Sequence, residues 1–553
     1  MIGPMTPRTL LAVAITTIVC LSDGRAVTPQ QEPSRLEIAG QERSPSKWRS
    51  YVERCLSTLI AHGRDHYGPV KSPLLMAVID SRTLTSPEEP ELFASLIRLE
   101  EGRLHRRGER GSNPWYDQAT IRSLYRMSEL TGNAEYRKAA DAYLAYFLKH
   151  CRKRRDDQNV YHNGMPAWGT HIYWDCYRDR PGGDLDGAGP HEILVYHPEW
   201  AQMQRLDAKR VREIVDGIWN WHIVDKKTGQ HNRHDDARAG CDFAFSGGSF
   251  VLAFAFMHRA SKEAAFLDRA LLVANWHWQH RDRKTGLVPD APSTGARYDA
   301  KHCMTCVTGP FASQLLRAYE ISGERRLFDM AASYIKAYDA HGWDEKRGSY
   351  HGMLALDGTP VGGGLELDRT GKPIPGQTRK DQSNYGAWAP SGLVDIWRTA
   401  IYSYEFPLVA AQAAVYAYEL SKSGGHAGDP ALLRTANRWA RAIGNDLPPR
   451  TGRRWKRELE EAMPAAAKTG GTYAENYGRA ISFYVHLARA TGETKHLAQA
   501  ESLAQEAVTK LFRNGLFCGH PAKPYYESTS GVGILLYALL ELDSPAESLR
   551  GAF

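Results

Sequence analysis

"IRSLYRMSELTGNAEYRKAADAYLAYFLKH" runs from Ile121 to His150. Apolar residues Ile121, Leu124, Tyr125 and Met127 fall three to four positions apart, and the pattern resumes at Tyr136, Ala140, Tyr143, Leu144 and Phe147. That spacing is the period of an amphipathic helix. Between the two runs stands Thr131-Gly132-Asn133, and a glycine there supplies the left-handed residue that ends a helix. The stretch therefore predicts an αα-hairpin. Each of its helices has one apolar stripe, which a single hairpin cannot bury, so hairpins of this kind must stack on one another.

The pattern returns along the chain. "FVLAFAFMHRASKEAAFLDRALLVANWHW" begins at Phe250, and "ASQLLRAYEISGERRLFDMAASYIKAYD" begins at Ala312. Two later copies are "AAQAAVYAYELSKSGGHAGDPALLRTANRWARAIG" and "ISFYVHLARATGETKHLAQAESLAQEAV", with "GVGILLYALLEL" at 531–542 as a closing helix. Stacked hairpins build either an open solenoid or a closed ring. Solenoid repeats follow every ~34–47 residues with little between them. Here the intervening segments are long, variable and rich in Trp, His, Arg, Asp and Gly, as at 160–198 and in the Gly-rich stretch 352–386. Within the latter, "GMLALDGTPVGGGLELDRTGKPIPG" reads as a small β-hairpin. The expected fold class is all-α, a single (α/α) toroid of six or seven hairpins over 47–553, whose long loops gather on one face into a pocket.

Composition agrees with a large globular core: 553 residues, 42% hydrophobic and 24% charged. Arg8, the apolar run "LLAVAITTIVCL" and the small residues ending at Ala26 read as a signal peptide over 1–26. The run is too short to span a bilayer, which takes ~20 apolar residues. Residues 27–46, polar with three prolines, read as a linker. An exported protein is expected, periplasmic or extracellular, with no stable membrane insertion and as a monomer. The net charge of +7 is spread along the chain, and its one dense block, "CRKRRDD" at 151–157, reads as a solvated helix end. That argues against nucleic acid, which calls for a broad basic face, and is compatible with an acidic polymer. Seven cysteines follow Cys20, an odd number that cannot all pair within one chain. "CMTC" at 303–306 has no second C-x-x-C to complete a zinc ribbon, and is read as packing or one disulfide.

Three loop segments carry candidate chemistry. "PAWGTHIYWDCYRDRPGG" offers His171, Asp175 and Arg178 among aromatics, "GPHEILVYHPEW" offers His191, Glu192 and His197, and "QHNRHDDARAGCDF" at 230–243 offers His231, Arg233, His234, Asp235 and Asp236. Imidazole and carboxylate suit a divalent cation such as Mn²⁺, Zn²⁺ or Ni²⁺. With no H-E-x-x-H helix present, such a site has to be assembled from separate loops. The opposing reading is a lining of packed, hydrogen-bonded imidazoles.

"GTHIYWD", "GPHEILVYHPEW", "IVDGIWNWHIVD" and "NRHDD" resemble the family 2 polysaccharide lyases, metal-dependent pectate lyases built on an α/α toroid. That resemblance implies a metal held by His171, Glu192 and His234, with Arg233 as Brønsted base. It implies one divalent ion, Mn²⁺ first and Ni²⁺, Co²⁺ or Ca²⁺ as alternatives. It also implies an acidic polysaccharide or oligouronide substrate of the pectate type, cleaved by β-elimination, and a second arginine near the reacting sugar, for which Arg297 is the candidate. Arg178, Trp174 and Asp236 are expected on the substrate side, with Trp168 and Trp200 as further sugar-stacking candidates. Two other readings stay open. A six-hairpin glycoside hydrolase acting on uronic-acid sugars would need a carboxylate pair, with Asp175, Asp235, Asp236 and Asp242 as candidates. A non-catalytic, exported carbohydrate-binding protein would need none of this chemistry.

Overall fold

The computed structural model describes residues 47–88, 107–154, 161, 163–295, 300–361, 392–394, 396–397, 406–422, 427–448, 469–547 and 551–552. The expected signal peptide and linker (1–46) and Arg297 lie outside the described residues, as does most of the Gly-rich stretch. Ser46–Phe553 make one compact unit.

The helices are α1 Lys47–His62, α2 Gln118–Thr131, α3 Ala134–His150, α4 Trp200–Leu206, α5 Ala208–Trp221, α6 Ala244–Ser261 and α7 Ala264–Gln279. They continue with α8 Ala312–Ser322, α9 Arg325–Gly342, α10 Pro407–Ser421, α11 Pro430–Asn445, α12 Ala474–Thr491, α13 Thr494–Leu511 and α14 Val532–Asp543. One turn chemistry joins four of the hairpins. The Thr or Ser that closes the first helix donates its hydroxyl to the carbonyl four residues back, as in Thr131→Met127 (2.7 Å), Ser261→Met257 (2.9 Å), Ser322→Ala318 (2.6 Å) and Thr491→Leu487 (2.8 Å). The same oxygen accepts the N–H two residues on, from Asn133, Glu263, Glu324 and Glu493. The residue between is left-handed: Gly132, Gly323 and Gly492, but Lys262 (φ 65°) after α6. Glycine avoids the Cβ clash of that conformation, and lysine bears it at a cost of about 1 kcal/mol.

Burial sorts the helices into two layers. α6, α10, α12 and α14 are buried on nearly every face. Their partners bury one stripe each, as α11 does with Leu432, Ala436, Trp439 and Ile443. Inner helices pack on one another in sequence: α6 on α8, α8 on α10, α10 on α12, α12 on α14, and α14 back on α2. Short α4 completes the inner layer. Its Trp200 stacks on Phe256 of α6 (6.1 Å, 22°), and Glu199 just before it takes a hydrogen bond from Arg122 of α2 (2.6 Å). α14 finds its outer partner in α1, so the last helix and the first form the seventh pair of a closed α/α toroid.

Among the described residues, the tight turns of α2–α3, α6–α7, α8–α9 and α12–α13 follow the C-terminal ends of inner helices, and the described long connections enter at inner-helix N-terminal ends, so these loops share one face. Short strands zip these loops to their neighbours. Val78–Asp80 pairs with Tyr525–Glu527, and Gly111–Ser112 with Ile172–Asp175, which continues to Arg180–Gly183. The β-prone start of the Gly-rich stretch, Met353–Ala355, pairs with His302–Met304 of the preceding loop and also folds back at Leu354–Pro360. All seven cysteines of the compact unit are free thiols. Cys303 and Cys306 are buried, so "CMTC" packs rather than pairs, with Cys306 Sγ 2.7 Å from Asp290.

Candidate functional site

His171 directly precedes the strand Ile172–Asp175 in the loop between α3 and α4, Glu192 lies in the irregular chain leading into α4, and Arg233–His234 lie between α5 and α6. Backbone contacts hold the three segments together. Thr170 N–H donates to Glu192 C=O (2.9 Å), and Gly169 (φ 117°) packs so closely there that a Cβ would stand 2.2 Å from that oxygen. The Asp235 carboxylate accepts His191 N–H (2.8 Å), Lys153 Nζ (2.7 Å) and Asn163 Nδ2 (2.7 Å), fixing the chain beside Glu192 to the chain beside His234. Lys153 and Asp235 are fully buried, and burial pulls the Lys153 ammonium below its ordinary range despite that partner.

Glu192 is the floor of the site, 3% exposed, with the imidazoles of His171 (12%) and His234 (21%) above it. Glu192 Oε2 is 2.5 Å from His171 Nε2 and 3.2 Å from His234 Nε2, and one donor atom from each residue lies within 4.8 Å of the others. Arg233 Nε is 3.7 Å from the other carboxylate oxygen, and its guanidinium lies over the Phe243 ring at 4.6 Å. Burial opposes the charge on Glu192, but Arg233, His171 and His234 together hold its carboxyl well below the usual range. His171 is drawn down by burial and raised more strongly by Glu192 and Asp184, so its net shift is upward.

The donor set fits a divalent cation. Two imidazole nitrogens and a carboxylate oxygen converge on one point, partly open above and closed below. Asp184 Oδ2 accepts from His171 Nδ1 at 2.7 Å, which leaves Nε2 as the nitrogen aimed into the site. A carboxylate behind a histidine is the usual support of a metal-ligating imidazole.

The structure thus brings together His171, Glu192, Arg233 and His234. The other expected residues that are described lie elsewhere. Arg178 lies in the turn beyond the strand, 46% exposed and facing Asp186 at 3.5 Å. Trp174 is buried in the hydrophobic core, and Trp168 and Trp200 are buried with it. Asp236 braces its own loop, accepting from Tyr161 (2.9 Å), Asn232 (2.5 Å) and Arg238 N–H (3.1 Å). Asp175 takes the N–H groups of Tyr177 and Arg178, and Asp242 takes Trp276 Nε1 (2.6 Å) and Ser293 N–H. Each of the candidate hydrolase carboxylates is therefore engaged in holding a loop. Asp184 was missed in the sequence: "GGDLDG" reads as a turn, and nothing in its spacing points back across the strand pair to His171.

A model of the periplasmic pectate lyase family matches residues 105–247. A pectate disaccharide-lyase of Dickeya dadantii (strain 3937) is 27% identical over 125 residues, 23% of this chain and 22% of that protein. The chain thus spans about a fifth of that relative's length. Among solved structures, an inactive α-1,6-mannanase variant of Salegentibacter sp. HEL1_6 is 10% identical, with 89% of this chain and 99% of that one covered at a TM-score of 0.41. Cellobiose 2-epimerase from Bacillus thermoamylovorans is 9% identical, with 89% and 98% covered at a TM-score of 0.42. Similarity to family 2 polysaccharide lyases thus falls on the stretch that holds all four converging residues.

Proposed function

We propose that the protein is an exported polysaccharide lyase that cleaves a polyuronate of the pectate type by metal-assisted β-elimination. The observation that carries the proposal is the convergence of His171, His234 and Arg233 on the single buried carboxylate of Glu192. His171 Nε2, Glu192 Oε2 and His234 Nε2 would hold one divalent ion, Mn²⁺ by preference, with Asp184 fixing the His171 ring. Bound there, the ion supplies Lewis-acid neutralisation of a substrate carboxylate, which makes the neighbouring C5–H more acidic.

The chain's own residues do the rest. Arg233, beside the ligands and 17% exposed, would face the reacting sugar. Its guanidine nitrogen takes the C5 proton, the C5–H electron pair becomes the C4=C5 double bond, and the C4–O bond breaks, its electrons leaving on the glycosidic oxygen, which collects a proton. An arginine does this only as its neutral form, which its ordinary pKa above ~12 makes scarce at neutral pH. Alkaline pH therefore favours the reaction. The buried floor keeps water from the carboxylate side of the site. Involvement of Asp175, Asp235, Asp236 and Asp242 in loop bracing favours this reading over a hydrolase, which needs a carboxylate pair free to act. Export rests on the N-terminal apolar run and on a matching family described as periplasmic. Among the described residues no helix is long and apolar enough to cross a membrane.

The test is ultraviolet absorbance of a 4,5-unsaturated uronide released from polygalacturonate with Mn²⁺, then with chelator. Product that needs Mn²⁺ and disappears in Arg233→Ala is expected. No unsaturated product at any pH up to strongly alkaline would end the lyase reading.

A further inference from the structure

Behind the converging residues lies a second, wholly buried chain of polar groups. His191 immediately precedes Glu192 in the irregular chain leading into α4, and the two side chains meet different partners. Glu192 faces His171 and His234, and His191 faces back into the ring. Trp168 Nε1–H donates to His191 Nε2 (2.7 Å), His191 Nδ1 meets His222 Nε2 (2.8 Å), and His222 Nδ1 meets the Asn232 carbonyl (2.9 Å). Trp168, His191 and His222 are 0% exposed.

The two ends of this chain fix every proton in it. An indole nitrogen only donates and a carbonyl only accepts. His191 Nε2 is therefore bare and its Nδ1 protonated; His222 Nε2 must accept that proton's bond, and its Nδ1–H goes to Asn232. Both rings are locked as neutral Nδ1–H tautomers, and neither can flip without leaving two donors or two acceptors face to face in a dry interior. Asn232 in turn holds His234, whose N–H donates to Asn232 Oδ1 at 2.8 Å. The chain thus runs from the residue before Glu192 to the residue that orients His234, a second tie between these loops beside the Asp235 contact with His191 N–H.

We infer that Trp168, His191 and His222 are positioning residues that set the distance between Glu192 and His234, and so the metal affinity of the site. The inference rests on the metal-site reading of His171, Glu192 and His234. His222 touches none of the three, so its effect has to travel through His191 and Asn232.

The experiment measures Mn²⁺ affinity of the full chain by titration calorimetry for the wild type, His234→Ala, His222→Phe, His222→Asn and Trp168→Phe, with melting curves to verify folding. His222→Phe keeps a ring but breaks both bonds, and about tenfold weaker Mn²⁺ binding is expected, the lower end of what supporting groups around a metal contribute. His222→Asn keeps a donor toward the Asn232 carbonyl and should recover part of that loss. Trp168→Phe frees His191 Nε2 and should weaken binding several-fold; it carries the test if His222→Phe does not fold. Long-range ¹H–¹⁵N spectra of the metal-free protein should show His191 and His222 both protonated at Nδ1 and bare at Nε2. Either ring in the other tautomer would overturn the inference. So would unchanged Mn²⁺ affinity in folded His222→Phe, or in Trp168→Phe should the former not fold, while His234→Ala loses binding; that result leaves the metal site standing. A wild type that binds no Mn²⁺ would overturn the metal site and this inference together.

Discussion

Glu192→Gln is the substitution that interrogates the site most directly, because it keeps the shape of the side chain and removes only its charge. In the wild type that charge faces a guanidinium at 3.7 Å and imidazoles at 2.5 and 3.2 Å. At an effective dielectric of ~20, the arginine contact alone corresponds to about 4 kcal/mol of Coulomb attraction. Removing one partner of a buried pair usually costs about 3–5 kcal/mol, since the other charge stays behind uncompensated. Metal-free Glu192→Gln should therefore be less stable than the wild type by about that amount at pH 6.

The pH dependence has a definite sign. The Glu192 carboxyl is depressed below its ordinary 4.5, so its contribution is complete above that pH and is lost as pH falls through the lower folded value. His171 is raised above 6.5, so its contribution is complete below that pH and is lost as pH rises through the higher folded value. The stability gap between wild type and variant should be widest from about pH 4.5 to 6.5 and narrow on both sides. Chemical denaturation across that range measures it, and NMR titration should find His171 shifted downward in the variant. Mn²⁺ at 100 times its dissociation constant should stabilise the wild type by about 2.7 kcal/mol and leave Glu192→Gln unchanged. A variant as stable as the wild type at pH 6, or one still stabilised by Mn²⁺, would refute the reasoning.

Asp184→Asn should weaken Mn²⁺ binding about 10–100-fold, read by calorimetry, because the carboxylate that fixes the His171 tautomer is lost. Gly169→Ala combines a φ of 117° with a Cβ 2.2 Å from the Glu192 carbonyl, and should lower stability by several kcal/mol, seen as a lower melting temperature. Asp117, buried beneath Tyr143 and Ser112, has its carboxyl pushed up to about 7 by burial, so the folded state holds a proton that the unfolded chain has released. Wild type should therefore lose roughly 2–3 kcal/mol relative to Asp117→Asn between pH 5 and pH 8, with stability falling as pH rises; a constant difference between the two would contradict it.

How far the sequence disclosed this molecule depended on distance along the chain. Hairpins α2–α3, α6–α7, α8–α9, α10–α11 and α12–α13 could be read because each repeats its stripe and its turn within one local window. α1 escaped because its partner, α14, lies at the other end of the chain, and α4 escaped because seven residues are too few to show a helical period. The site followed the same rule. His171, Glu192, Arg233 and His234 stand in short motifs whose order could be recognised. Asp184 and the Trp168–His191–His222 chain exist only through contacts between loops, which no spacing encodes. Trp174 shows the same dependence on distant packing: an aromatic in a polar loop resembles a sugar platform, and its burial in the core is set by residues the local sequence does not name.

The short fourth helix also explains why the site is where it is. Other inner helices run 11 to 18 residues, as in α8 and α6, whereas α4 has 7. The inner layer is therefore thinnest at α4, between α2 and α6, and the irregular chain before α4 packs into the remaining space. Ile193, Leu194, Val195 and Tyr196 are all buried there. Irregular backbone inside a helical core has no hydrogen-bond ladder of its own, so its carbonyls need donors from elsewhere. Ser246 and Ser249 of α6 supply hydroxyls to Ile193 and Leu194 (2.9 and 2.6 Å), and Gln314 of α8 reaches Val195 at 3.3 Å. Glu192 belongs to the same buried run, directly before Ile193, and is itself only 3% exposed. A carboxylate placed at that depth is tolerable only with cations or donors around it, and His171, Arg233 and His234 arrive from the loops on either side of the α4–α5 pair. The short inner helix makes room for both the buried charge and the partners that reach it.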